Sequence, residues 1–171
     1  SNLGSLRDNS HHTHGSDLRL EMAEMGWKGI TIPEKYNGLN FGYVGLGQVL
    51  EEMGRKLTVS PIISTVLLSS TLISLSKNEY LKTKLFQEIM NGTKLLTLAH
   101  EEGIHHNTES VNSLISKEQD YFLLNGKKNF VIDGQISDYF IVSAKDEKGL
   151  NTLLVLVDSN ANGVEYNHCL L

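Results

Sequence analysis

Histidine, glutamate and cysteine side chains are the residues of this sequence whose types suit metal binding, acid–base chemistry or nucleophilic attack. His11, His12 and His14 lie too close together to share one rigid metal-ligating face. His105 and His106 have carboxylates nearby, but no second cluster completes a tetrahedral ligand set. We therefore predict no metal site.

The adjacent carboxylates and the cysteine give no catalytic group either. Glu51 and Glu52 are neighbours in a helical pattern, so their side chains point to different sides and predict a solvated helix face, not a general acid and base pair. Cys169 has no neighbouring base in the sequence that would activate its thiol. We predict no catalytic residue within this chain.

The composition is that of an ordinary soluble globular protein. The chain has 171 residues, with 15 Lys and Arg against 20 Asp and Glu, which gives a net charge of -5. The basic residues are scattered and form no stripe that could neutralise a run of phosphates, so we predict no nucleic-acid partner. The single cysteine cannot form an internal disulfide and fits a reducing compartment, and we expect a cytoplasmic location.

Four segments have helical periodicity, and they predict an all-α N-terminal domain. They are Leu18 to Gly26, Tyr43 to Arg55, an uncharged segment from Ser60 to Leu75, and Asn78 to Met90. The third of these helices lies in an uncharged stretch from Leu57 to Leu75, which is long enough for a membrane span but rich in Ser and Thr. We predict no membrane span and a helix buried among other helices, capped by Ser60 and with its hydroxyls bonded to helix carbonyls.

After Gly92 the pattern changes to short β-rich segments separated by turn signals. The predicted strands are Lys94 to Ala99, Val111 to Ser116, Tyr121 to Leu124, Asn129 to Ile132, Tyr139 to Ala144, Thr152 to Val157 and Gly163 to Tyr166. Asn-Gly and Asp-Gly pairs in the connections favour antiparallel pairing, and there is no room for crossover helices.

These patterns predict an α+β fold. An all-α helical bundle covers residues 1–93, with a flexible start over 1–17, and a partial antiparallel β-barrel-like domain covers residues 94–171. We expect this second domain to be incomplete at its C-terminal end.

Five sequence segments, in the same order, resemble signatures of the acyl-CoA dehydrogenases. Residues 21–39, EMAEMGWKGITIPEKYNGL, are similar to E-x-x-E-L-G-W-x-G-L-x-V-P-E-E-Y-G-G-L-G, and residues 49–55, VLEEMGR, to V-L-E-E-L-G-R. Residues 125–131, NGKKNFV, resemble L-x-G-x-K-x-[FW]-[VI], and residues 138–144, DYFIVSA, resemble A-D-x-x-[IL]-V-x-A. Residues 154–164 resemble F-L-V-D followed by x-G-V.

The resemblance implies FAD-dependent α,β-dehydrogenation of a fatty or other bulky acyl-CoA to the trans-2-enoyl-CoA. In this family a glutamate removes the α proton while the β hydride passes to the flavin. The resemblance also implies an electron-transfer flavoprotein as electron acceptor and assembly into a homo- or hetero-oligomer. That glutamate lies in a C-terminal helical domain, so we expect this chain to be the front part of a longer enzyme.

Two places correspond to the family's flavin contacts in the middle domain. Ala99, His100 and Glu101 lie in the segment 97–103, TLAHEEG, which stands where the family has the strand end Y-x-x-T-E-P-G. His100 replaces the threonine of that pattern and Glu102 replaces the proline. Phe130 and Ile132 stand where it commonly has W-I-[TS], so Phe130 can pack on the flavin while Ile132 has no side-chain donor. Without the resemblance, Phe130 and Ile132 are typical of plain strand core.

Two alternatives to the enzyme remain at this stage. The changes at His100 and Ile132 favour a non-catalytic subunit that assembles with a partner bearing the flavin and the base. A degenerate fragment without function is also compatible with the sequence.

Overall fold

The computed structural model describes residues 22–167, and the chain divides into two compact units. The first unit ends at Leu95 and the second begins at Leu96. The first is helical and the second is built around a five-stranded sheet, which confirms the predicted α+β fold class.

The helices of the first unit follow the predicted periodicity. A helical segment over 22–24 is the described part of the first predicted helix, and Gly26 ends it with φ 75°. Two 3-10 turns, Trp27–Gly29 and Glu34–Tyr36, follow. Helix α1 spans Gly42–Arg55.

The uncharged segment is a helix, as predicted, but its first part is wound as a π-helix. The π-helix spans Ile62–Ser69 and continues as α2, Ser70–Leu75. Ser69 Oγ donates to the carbonyl of Ser64 at 2.8 Å, which confirms the predicted bonding of hydroxyls to helix carbonyls. No helix within 22–167 has the length and apolar character needed to cross a membrane.

The predicted cap at Ser60 is wrong. The residue at the cap position is Pro61, and no side chain caps this end. Ser60 Oγ lies 3.3 Å from Met22 Sδ instead. The cap at the next helix, α3 (Glu79–Met90), is present, because the Asn78 side chain accepts from the Leu81 N–H at 3.0 Å.

A core cluster of the first unit is built from α1, the π-helix and the segment that precedes α1. Met22, Ile30, Leu46, Met53, Ile62 and Val66 form the buried cluster, and Trp27 packs against it. The apolar face of α1 that the sequence predicts therefore faces this cluster through Leu46 and Met53.

The second unit holds strands β1 (Leu96–Ala99), β2 (Leu114–Lys117), β3 (Phe122–Asn125), β4 (Tyr139–Lys145) and β5 (Thr152–Asp158). The central strand is β4, which pairs antiparallel with β5 along its whole length. β1 pairs in parallel with the first four residues of β4, and β2 pairs in parallel with the last residue of β4. β2 and β3 form an antiparallel hairpin.

The sheet is therefore mixed, whereas the sequence favours antiparallel pairing throughout. Turn signals bear only on strands that are neighbours in sequence, and the antiparallel prediction is confirmed for the β2–β3 and β4–β5 pairs. Parallel pairing of β1 with β4 needs only a long connection, which the β2–β3 hairpin and its loops supply in place of a helix.

Two predicted strands do not form. Asn129 to Ile132 is a loop, because Phe130 has a left-handed backbone with φ 52° and the Ile132 carbonyl accepts from the Thr97 hydroxyl. Gly163 to Tyr166 begins at a glycine with φ 89° and has no strand pairing. The centroid of the Tyr166 ring instead lies 6.0 Å from the centroid of the Phe140 ring.

Candidate functional site

The two places singled out in the sequence lie side by side in the second unit. Asn129 joins them: its backbone N–H donates to the Glu101 carbonyl at 2.7 Å, and its side-chain amide donates to the Glu102 carbonyl at 2.6 Å. Thr97 Oγ1 donates to the carbonyl of Ile132 at 2.6 Å. The end of β1 and the loop after β3 thus form one continuous surface.

The sequence-predicted residues of this surface differ in exposure. Ala99 is buried beneath it, while His100 and Glu101 are half-buried. Phe130 is 65% exposed and Ile132 is 52% exposed, so neither belongs to a strand core. An exposed aromatic ring beside a strand end is available to pack against a planar ligand.

The backbone at Phe130 is held in a conformation that such a residue rarely adopts. Its φ of 52° costs a bulky residue of the order of 1–2 kcal/mol. The Asn129 and Thr97 hydrogen bonds fix the chain on both sides of it. The fold therefore holds this ring at the surface at a cost in stability, as is common at ligand sites.

A buried ion pair that the sequence analysis missed underlies the surface. Lys128 Nζ lies 2.7 Å from Glu102 Oε1, and the two side chains are only 8% and 10% exposed. The same carboxylate accepts from the Ser113 hydroxyl at 2.6 Å and from the Asn112 N–H at 2.6 Å. The signal in the sequence was Glu102 itself, since it stands where the family pattern has a proline.

Hydrogen bonding keeps this carboxylate ionised. Burial raises the pKa of Glu102, but hydrogen bonds from Lys128, Ser113 and the Asn112 N–H outweigh burial and lower the pKa to about 2. The Glu102 carboxylate therefore stays ionised across the neutral range.

A glycine allows two segments of the chain to approach each other closely. A Cβ built on Gly126 would lie 2.1 Å from the Ser113 hydroxyl oxygen and 2.9 Å from its Cα. The Asn125-Gly126 pair predicts a tight turn, yet neither residue has a positive φ. Glycine is needed here for space, because Ser113 must reach the Glu102 carboxylate.

The Glu101 carboxylate bonds its own loop. It accepts from the Asn107 N–H at 3.2 Å and lies 2.5 Å from His106 Nδ1, and these contacts, the backbone one first, lower its pKa. Within residues 22–167 no group of three His, Cys, Asp or Glu side chains is placed to hold a metal ion. The early histidines and Cys169 lie outside the described residues.

Glu51 and Glu52 lie on the exposed face of α1, as predicted. Their side chains are 66% and 62% exposed, and both lie near Arg55, at 2.7 Å and 3.4 Å. Exposed pairs of this kind contribute little to stability and offer no buried site for proton transfer.

Comparison with known proteins places the chain in a family. Residues 5–93 match the acyl-CoA dehydrogenase N-terminal domain and residues 89–169 match the acyl-CoA dehydrogenase middle domain. The chain is 32% identical to a 3-(aryl)acrylate reductase of Clostridium sporogenes over 159 residues, which is 88% of this chain and 41% of that protein. It is 28% identical to the caffeyl-CoA reductase-Etf complex subunit CarC of Acetobacterium woodii, over 84% of this chain and 40% of that protein.

A solved structure agrees with these matches. A crystal structure of an FAD-dependent dehydrogenase superposes with a TM-score of 0.72 at 26% identity, over 86% of this chain and 42% of that one. This chain thus spans about two fifths of the length of the relatives it matches. The chain belongs to the acyl-CoA dehydrogenase family.

Proposed function

We propose that this chain forms the N-terminal and middle domains of an FAD-dependent enzyme that converts an acyl-CoA thioester to the trans-2-enoyl-CoA. The observation that carries the proposal is the exposed Phe130 ring, held beside the end of β1 on a left-handed backbone. Family membership supports the same reading, because the relatives include an FAD-dependent dehydrogenase and acyl-CoA oxidoreductases.

The residues on this surface suit a flavin. Phe130 offers an aromatic face for the planar ring, with Ile132 as an apolar neighbour. The His100 side chain ends in a nitrogen, Nε2, that is buried and has no hydrogen-bond partner within the described chain. Such an atom is accounted for if a polar ligand atom meets it. Ala99 supports the surface from below, and Glu101 fixes the loop that borders it.

The reaction needs a hydride acceptor and a base. The bound flavin would supply an acceptor for the hydride that leaves the β carbon. A carboxylate must also remove the α proton. We propose that a domain beyond Leu171 supplies it, in keeping with the share of the relatives' length that this chain spans.

Partners follow as part of the same proposal. An acyl-CoA is the substrate, an electron-transfer flavoprotein accepts the electrons, and the protein assembles into an oligomer in the cytoplasm. Support for the acceptor comes from a relative that is named as a subunit of a caffeyl-CoA reductase-Etf complex. A place in fatty acid metabolism is part of the proposal as well.

A non-catalytic subunit is the second candidate. Ile132 has no side-chain donor for a flavin, and this observation favours a chain that keeps the fold while a partner holds flavin and base. The two candidates differ in where the flavin binds.

The test is the visible spectrum of the purified protein before and after an acyl-CoA is added. A bound flavin that bleaches supports the enzyme, whereas a colourless protein that assembles with a yellow partner supports the subunit. Phe130→Leu should weaken flavin binding. Phe122→Leu is the matched control, because Phe122 lies on β3 and is equally exposed at 66%.

A further inference from the structure

A chain of hydrogen bonds connects the buried ion pair to His100. Lys128 Nζ donates to Glu102 Oε1 at 2.7 Å, to Ser143 Oγ at 3.0 Å and to the His100 carbonyl at 3.2 Å. Ser143 Oγ in turn lies 3.0 Å from His100 Nδ1. Ser143 is 1% exposed, so water does not replace these partners. We call Glu102, Lys128 and Ser143 the relay.

Counting hydrogens along the relay fixes the direction of its last bond. The Lys128 ammonium has three hydrogens and three acceptors, so its contact with Ser143 uses an oxygen lone pair. The single hydroxyl hydrogen of Ser143 then has one available acceptor, His100 Nδ1. The neutral imidazole that accepts at Nδ1 carries its proton on Nε2.

The opposite arrangement leaves more groups unsatisfied. If His100 Nδ1 carried the proton, the buried Ser143 hydroxyl hydrogen would have no acceptor, at a cost of about 1–3 kcal/mol. Nε2 is buried without a partner in either case. The relay therefore selects the arrangement in which Nε2 is a donor.

We propose that Lys128, held by Glu102, acts through Ser143 as a positioning residue that fixes the His100 ring with its proton on Nε2, ready to donate to an acceptor atom of the flavin. The proposal rests on the proposed function for the identity of the acceptor. The tautomer of His100 follows from the relay alone and is independent of the proposed function. Glu102 and Lys128 are positioning residues, because they act on His100 and not on the flavin itself.

The tautomer is measured by nitrogen NMR of the purified protein labelled with 15N-histidine. Protonated and unprotonated ring nitrogens have distinct chemical shifts, and His100→Gln assigns the signals. We expect His100 to carry its proton on Nε2, and Ser143→Ala to give a mixture of tautomers. Ser116→Ala is the control on β2, because the Ser116 hydroxyl has no hydrogen bond among the described residues.

Flavin affinity supplies the second readout, from quenching of FAD fluorescence. Loss of one neutral hydrogen bond predicts a rise in Kd of roughly tenfold for Ser143→Ala. Lys128→Met leaves Glu102 buried without its partner and can prevent folding, so the double variant Glu102→Gln/Lys128→Met removes both charges and carries the test. The double variant should also show mixed tautomers and weaker FAD binding, whereas the exposed Lys127→Met should change neither.

The outcomes separate the relay from the proposed function. A proton on Nδ1 in the wild type, or an unchanged tautomer in Ser143→Ala, overturns the relay even when FAD binds. A protein that binds no FAD but keeps the Nε2 proton in a Ser143-dependent way supports the positioning role and overturns the proposed function.

Discussion

The buried Glu102–Lys128 pair predicts a specific loss of stability in acid. The pKa of Glu102 is about 2 in the folded protein, against an ordinary value of 4.5. A folded-state pKa below the unfolded one stabilises the fold above about pH 4.5, and that contribution is lost as the pH falls towards 2. At about 1.4 kcal/mol per pKa unit, the full contribution is about 3 kcal/mol.

The window between pH 7 and pH 3 contains most of this effect. By pH 3 the unfolded carboxyl is almost fully protonated and the folded one is still ionised, so about 2 kcal/mol is lost, or roughly thirtyfold in an opening equilibrium. The double variant Glu102→Gln/Lys128→Met lacks a titrating carboxyl here and leaves no buried charge without its partner. Its stability should therefore fall less between the two pH values than that of the wild type.

Hydrogen exchange is the suitable assay, because a chain with two compact units need not unfold in one step. Mass spectrometry of peptides that cover β1 and β4 reports the second unit alone, after correction for the pH dependence of intrinsic exchange. Glu118→Gln, at an exposed position, is the matched control and should follow the wild type. Equal loss of protection in the wild type and in Glu102→Gln/Lys128→Met would refute the reasoning.

Three further predictions concern single residues. Asn129→Ala removes the hydrogen bonds to the Glu102 and Gly103 carbonyls. The free energy of local opening of the 126–132 loop, measured by hydrogen exchange, should fall by about 1–2 kcal/mol, and the Kd for FAD should rise. Unchanged exchange would contradict this. Phe130→Gly removes the strain of the left-handed backbone, so it should stabilise the loop by about 1 kcal/mol in the same assay. It should also weaken FAD binding, and tighter binding would refute the role assigned to the Phe130 ring. Leu46→Ala opens a cavity in the cluster against which Trp27 packs, so it should cost about 2–5 kcal/mol in urea unfolding followed by tryptophan fluorescence. A cost below about 1 kcal/mol would contradict the packing described.

The helices could be predicted from the sequence because their signals are local. The apolar spacing of α1 and the Asn78 cap of α3 each lie within a few residues, and both are present in the structure. The cap at Ser60 failed because the turn that follows is wound as a π-helix, which places Pro61 at the cap position. A π-helix has no simple sequence signature.

The site was only partly predictable because its key contacts are distant in sequence. The resemblance to the family pointed to both segments, yet the sequence pattern made Phe130 a strand residue, whereas its backbone is left-handed. The Glu102–Lys128 pair spans 26 residues and follows no periodicity that reveals it. The Asn125-Gly126 pair predicts a turn, whereas the structure requires Gly126 for close approach to Ser113.

The central claim is that the end of β1 and the Phe130 loop form one wall of a flavin site. The most direct measurement is a crystal structure of the purified protein with FAD bound. We predict that Phe130 ring atoms lie within about 4 Å of the flavin ring and that His100 Nε2 lies within hydrogen-bonding distance of a flavin acceptor. A flavin bound elsewhere, with Phe130 still facing solvent, would contradict the account.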